Sequence, residues 1–131
     1  MTSLPRVGID MLEPDRLQQR LGRHPELRTE LFTEGELIYC DAQAFPAQHL
    51  AARFCAKEAV VKALGMDGFD PRDVEILDGG PPRVELRGDA LRRATELDVE
   101  VAISLTHLVS LAAAVALAMP RSPSDDGTES N

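Results

Sequence analysis

A chain of 131 residues with 44% hydrophobic and 27% charged side chains has material for one compact domain and no room for a second of ordinary size. The net charge of −8 excludes general nucleic-acid binding, which draws on phosphate neutralisation; with no Trp and 4% aromatics, the core must come from Leu, Val, Ile and Ala. Cys40 and Cys55 make no disulfide framework, and the longest apolar stretch, Leu111 to Met119, is too short to cross a bilayer. Met1 to Pro5 has no basic region leading into an apolar run, so no signal peptide and a cytoplasmic protein are expected.

In chain order, Arg6 to Met11 reads as a strand. Pro14 suits the first turn of a helix that runs to about Arg23 and stops at His24-Pro25. Glu26 to Phe32 is a second short helix, and Thr33-Glu34-Gly35-Glu36 has capping-box spacing. Ala47 to Leu64 is the longest helix, closed by Gly65 at the left-handed position. Val74 to Leu77 and Arg83 to Leu86 flank Asp78-Gly79-Gly80-Pro81-Pro82 as a hairpin, and Gly88-Asp89 opens a helix to about Leu97. Val99 to Leu105 and Ser110 to Ala118 are two more strands around a turn at His107. The order β-α-α-α-β-β-α-β-β predicts an α+β fold, long helices packed on a mainly antiparallel sheet. Residues 1–119 form that domain, and residues 120–131, PRSPSDDGTESN, carry no large apolar anchor and are expected to be a disordered tail.

Four features carry chemistry. On the long helix, Leu50, Phe54, Val61 and Leu64 recur at core spacing, whereas Ala51, Cys55, Glu58 and Lys62 share another stripe of small residues ending in an acid and a base. Glu58 and Lys62 read either as a common i, i+4 ion pair or as part of a site. Lys57 falls in the apolar stripe, where an unpaired charge is costly, and an anionic ligand would answer it. Asp10 ends the first strand, as a turn residue or as a hard oxygen ligand for Mg²⁺; with Glu58 it would make a pair of carboxylates suited to that ion. His107, beside Ser104 and Thr106, is either a solvated loop residue or a phosphate contact. Arg16, Arg20 and Arg23 line one face of the first helix, a basic stripe in an acidic chain and a natural dock for an acidic partner.

Taken in order, Asp10-x5-Arg16 after Gly8, Phe32-Thr33-x2-Glu36-Leu37, Ala52-Arg53-Phe54-Cys55-Ala56-Lys57-Glu58-Ala59-x2-Lys62-Ala63-x-Gly65 and Ser104-x-Thr106-His107 resemble the holo-acyl carrier protein synthase class of 4′-phosphopantetheinyl transferases, from about Arg6 to Met119. The resemblance implies transfer of 4′-phosphopantetheine from coenzyme A to a serine of an apo-acyl carrier protein, in a homotrimer with active sites between subunits. It implies that Asp10 and Glu58 hold Mg²⁺ and that Glu58 and Lys62 are catalytic. Arg53, Lys57, Lys62, Gly65 and His107 would bind CoA, and Arg16, Arg20 and Arg23 would meet the carrier. Two places depart from the family pattern: Pro81-Pro82 follows the hairpin glycine where a basic residue is common, and Leu108-Val109 replaces polar residues after the histidine. A metal-dependent pyrophosphate hydrolase using the same Asp10–Glu58 pair, and a CoA- or carrier-binding module without activity, are the competing readings.

Overall fold

The computed structural model describes residues 4–122. Its elements are β1 (Arg6–Leu12), α1 (Pro14–Arg23), α2 (Leu27–Leu31), α3 (Glu34–Asp41), α4 (Pro46–Leu64), a 3-10 turn (Pro71–Asp73), β2 (Val74–Leu77), β3 (Arg83–Leu86), α5 (Gly88–Leu97), β4 (Val99–His107) and β5 (Ala112–Pro120). The α+β expectation holds, with one helix more than predicted between β1 and β2. The capping box does not merely follow α2; it starts the separate helix α3. Thr33 Oγ1 accepts from the Glu36 N–H at 3.2 Å, and Glu36 Oε1 accepts from the Thr33 N–H at 2.8 Å.

The strands form two antiparallel sheets. One has the order β1-β5-β4, the other is the β2-β3 hairpin. Small residues set how closely α4 lies on the larger sheet. Ala112, Ala114, Ala116 and Ala118 of β5 are buried against an α4 face that includes the buried Ala52, Ala56, Ala59 and Ala63. Gly8 of β1 is the tightest point: a Cβ there would stand 2.0 Å from the Ala59 carbonyl oxygen. The close approach brings Asp10 of β1, two residues on, to the same helix that carries Glu58 and Lys62.

The opposite face of this sheet is apolar and open. Val7, Ile9 and Met11 are exposed, and Val7 and Ile9 pair in register with the exposed Leu117 and Val115. Strand alternation explains it: in β1 one parity faces α4 and the other faces outward.

The last hairpin differs from expectation at both ends. β4 runs through Thr106 and His107, because His107 still pairs with Ala112; the turn shifts to Leu108–Leu111, where the Leu108 N–H donates to the Leu111 carbonyl at 2.7 Å. Pro120, assigned from composition to the tail, is the final residue of β5 opposite Val99, and the Arg121 N–H donates to the Asp98 carbonyl at 3.0 Å. A terminal strand position is one where proline's missing N–H is tolerated. The rest of the expected tail, residues 123–131, lies outside the described residues.

Candidate active site

Two clusters of polar side chains flank α4; Asp10, Glu58 and Lys62 fall in one, Arg53 and His107 in the other. The first is built from β1 and the C-terminal half of α4. Lys62 Nζ donates to the Ile9 carbonyl at 2.9 Å and to Asp10 Oδ1 at 3.1 Å. Lys62 therefore reaches across to β1 instead of pairing with Glu58 one turn back. Glu58 makes no ion pair among the described residues; burial, then the neighbouring Asp10 charge, pushes its carboxyl above the usual range, with Lys62 pulling the other way. Cys55, one turn earlier, lies beneath the pair with its Sγ 3.7 Å from the Ala112 carbonyl oxygen. Burial, the Asp10 and Glu58 charges and a hydrogen bond to Asp10 raise its thiol to about 12, so it stays protonated.

Among the described residues no three His, Cys, Asp or Glu side chains gather as a metal-binding group, so a cation here would draw two carboxylates from the chain. That donor set fits Mg²⁺, which takes one or two protein carboxylates and fills its shell with water and phosphate. The raised Glu58 carboxyl is the condition a divalent cation between Glu58 and Asp10 would relieve.

The second cluster sits at the N-terminal half of α4 and lines a cavity of about 350 Å³ with Tyr39, His49, Arg53, Asp78, Thr106 and His107. Arg53 is 3% exposed; its guanidinium stacks 4.5 Å above the Tyr39 ring and forms an ion pair with Asp78. Its Nε is buried without a hydrogen-bond partner. His107 Nδ1 is 3.0 Å from Gln48 Oε1, and the His49 and His107 rings stand 4.5 Å apart. At 1.5 Å per residue, the nine positions from Arg53 to Lys62 span roughly 13 Å of helix, so the two clusters are separate stations along α4.

Lys57 belongs to neither. It is fully buried, and its ammonium donates to the Pro71 carbonyl at 2.8 Å and the Val74 carbonyl at 2.7 Å, with Glu36 Oε1 at 2.9 Å. All three ammonium protons are occupied. The charge expected to await an anionic ligand has its counter-ion in the chain, Glu36. Glu36 is equally committed: its other oxygen accepts the Ile76 N–H at 2.7 Å. Burial pushes the Lys57 ammonium down, and Glu36 acts against that.

Gly65 ends α4 with φ 68°, under the Arg6 guanidinium; the Arg6 and Arg93 Nε groups donate to the last-turn carbonyls of Ala63 and Leu64 at 2.8 and 2.9 Å. Its conformation answers a helix-ending need. Arg16, Arg20 and Arg23 rim a groove of about 540 Å³ whose floor includes Leu27, Leu31 and Phe54. Met11 and Leu12 of β1 also line it, and Phe54 lies one helical turn before Glu58 on α4, so the groove shares both elements with the first cluster. Tyr39, His49 and Asp78 were missed from sequence. His49 stands four residues before Arg53 on one helix face, a spacing that could have flagged it; nothing local ties Asp78 to Arg53.

A sequence profile of the 4′-phosphopantetheinyl transferase superfamily matches residues 6–116. A holo-[acyl-carrier-protein] synthase of Moorella thermoacetica is 47% identical over 116 residues, covering 85% of this chain and 91% of its own. The solved acyl carrier protein synthase of Mycobacterium tuberculosis is 33% identical, with a TM-score of 0.67, covering 88% of this chain and 97% of that one. A Chronobacterium ammoniagenes ACPS–CoA complex shares the fold, with a TM-score of 0.81 at 24% identity over 92% of this chain and all 100% of that one. With its profile match, its relatives and its α4-on-sheet architecture agreeing, the chain belongs to the 4′-phosphopantetheinyl transferase superfamily.

Proposed function

We propose that this protein is a holo-acyl carrier protein synthase, transferring 4′-phosphopantetheine from coenzyme A to a serine of an apo-acyl carrier protein and releasing adenosine 3′,5′-bisphosphate. The observation that carries it is the convergence of Asp10, Glu58 and Lys62 beside an arginine-rimmed groove. A hydrolase would need the carboxylates but has no use for the groove.

The chemistry is a phosphoryl transfer in which the serine hydroxyl attacks the β-phosphate of CoA, and it depends on positioning and charge. Asp10 and Glu58 would hold Mg²⁺. When bound there, the cation supplies positive charge to the donor's pyrophosphate. Glu58, half-buried and without an ion pair among the described residues, takes the serine proton. Lys62, anchored to Ile9 and Asp10 but half-exposed, neutralises the charge that grows on the leaving phosphate. Arg16, Arg20 and Arg23 orient the acidic carrier so that its serine faces Asp10 and Glu58.

The cavity at Arg53 and His107 takes the nucleotide end of CoA. Because it is separated from the first cluster along α4, one donor molecule joins the two stations most simply across a subunit boundary. A homotrimer packed through the open apolar face of Val7, Ile9, Val115 and Leu117 supplies that boundary. A cytoplasmic setting follows from the substrates. No helix among the described residues is long and apolar enough to cross a membrane.

The test is to incubate the protein with CoA, Mg²⁺ and an apo-carrier and to weigh the carrier. A transferase adds the phosphopantetheine mass. CoA consumption with an unchanged carrier would indicate hydrolysis, and neither change would indicate a binding module.

A further inference from the structure

Arg53 Nε is a buried side-chain nitrogen without a hydrogen-bond partner among the described residues, although Nη1 donates to the His49 carbonyl at 3.4 Å. The Arg53 side chain is nearly sealed from solvent, and its other terminal nitrogen is held by Asp78 at the rim of the cavity. Asp78 is the residue directly after β2, and it precedes Gly79 and Gly80. Those glycines have φ 99° and 140°, with open space where a Cβ would stand. The Asp78 carboxylate can leave Arg53 by rotation about its own side-chain bonds, and the two open glycines let the following loop adjust without disturbing β2, whose inward residues Val74 and Ile76 are locked in the core.

We propose that Asp78 is a specificity-setting residue of the nucleotide cavity: it occupies Arg53 in the ligand-free chain, and the second phosphate of the nucleotide must displace it. The inference rests on the reading of this cavity as the seat of CoA's nucleotide end. A phosphate monoester presents oxygens to the same guanidinium fork that the carboxylate now uses. His49 and His107, whose rings pack against each other at 4.5 Å, line the same cavity. Asp78 therefore competes with the ligand at one point only, where the nucleotide carries its 3′-phosphate, and a nucleotide without that group leaves the Arg53–Asp78 pair in place. Asp78 thus lowers the advantage of the bisphosphate and keeps the leaving product from being held too tightly.

The experiment is calorimetric titration of the full chain with adenosine 3′,5′-bisphosphate and with adenosine 5′-monophosphate. The wild type and Asp78→Asn, which keeps an oxygen for Arg53 without the charge, are compared. Asp78→Asn is expected to bind the bisphosphate about tenfold more tightly while leaving the monophosphate unchanged, as removal of a like charge at the binding point requires. Asp78→Glu, with the charge restored, is expected to return the ratio of the two affinities toward that of the wild type. Weaker binding of the bisphosphate by Asp78→Asn would overturn the proposal, because Asp78 would then be positioning Arg53. Equal tightening of both nucleotides, or no change, would overturn it as well. If neither the wild type nor Asp78→Asn prefers the bisphosphate, the cavity is not the seat of the second phosphate, and the underlying reading fails before the role of Asp78 is reached.

Discussion

Lys57 and Lys62 stand five residues apart on one helix and meet opposite fates. Lys57 is sealed in the core, surrounded by Glu36 and two carbonyls from the turn before β2 and from β2 itself. Lys62 is half-exposed, holds Asp10 from one side and leaves the other side open. Between them Glu58 is half-buried with no ion pair among the described residues. A charge whose partners are all supplied by the chain locks two elements together. One that is only partly supplied remains available to a substrate. The difference is one of completeness, and it separates a structural ion pair from an available charge more sharply than residue type does.

Breaking the closed pair should have the largest effect on the fold. Lys57→Met leaves Glu36 buried without its counter-ion and is expected to destabilise the protein by about 3–5 kcal/mol in chemical denaturation. Adding Glu36→Gln should recover part of that loss, since the uncompensated charge goes with it. Lys62→Met should leave the denaturation midpoint near that of the wild type while removing most turnover. If Lys57→Met unfolds no more easily than Lys62→Met, the contrast between the two lysines is wrong.

Glu58→Gln sharpens the comparison from the other side. Turnover should fall by roughly a hundredfold or more, the scale of a lost general base, with further loss if a metal ligand is removed. Stability should move the opposite way. The folded protein holds the Glu58 proton more tightly than the unfolded chain does, so the wild type loses stability as pH rises from 4.5, the ordinary value, through the raised folded value. The glutamine variant escapes that loss: it should melt above the wild type at neutral pH, and the difference should vanish below about pH 4.5. A variant less stable than the wild type at neutral pH would mean that Glu58 has a partner.

The arginine stripe should give a graded effect. Arg16 has only a loose contact with Glu13 at 3.8 Å, and Arg20 and Arg23 make no ion pair among the described residues, so all three are open charges in the same sense as Lys62. Exchange of all three for glutamate should raise the KM for the carrier sharply, and added salt should weaken carrier binding by the wild type, with screening over about 8–10 Å. Single exchanges should change KM only a few-fold, as exposed charges contribute little one at a time. A triple variant that lost CoA affinity and kept the carrier would assign the groove to the donor.

Much of this was legible in the sequence because it is local. The first strand, the capping box at Thr33 and Glu36, the glycine ending α4 and the arginine stripe are set by spacings of a few residues and are where they were expected, except that β1 runs past Asp10, its expected end, to Leu12. The outer limits of β4 and β5 were not, because pairing across the hairpin carried β4 to His107 and β5 to Pro120 past the points where composition changes.

The sequence by itself determined the α+β class, the family, and which carboxylates, lysines and arginines could act. Only the tertiary structure decided which of those charges are already answered. Glu36 and Lys57 are 21 positions apart, and Arg53 and Asp78 are 25 apart. No periodicity in either segment links them. Whether a buried cation is a binding site or a core ion pair depends on what the fold brings within 3 Å of it, and that is decided by the packing of α4 against β2, its hairpin turn and α3, not by the neighbours in the chain.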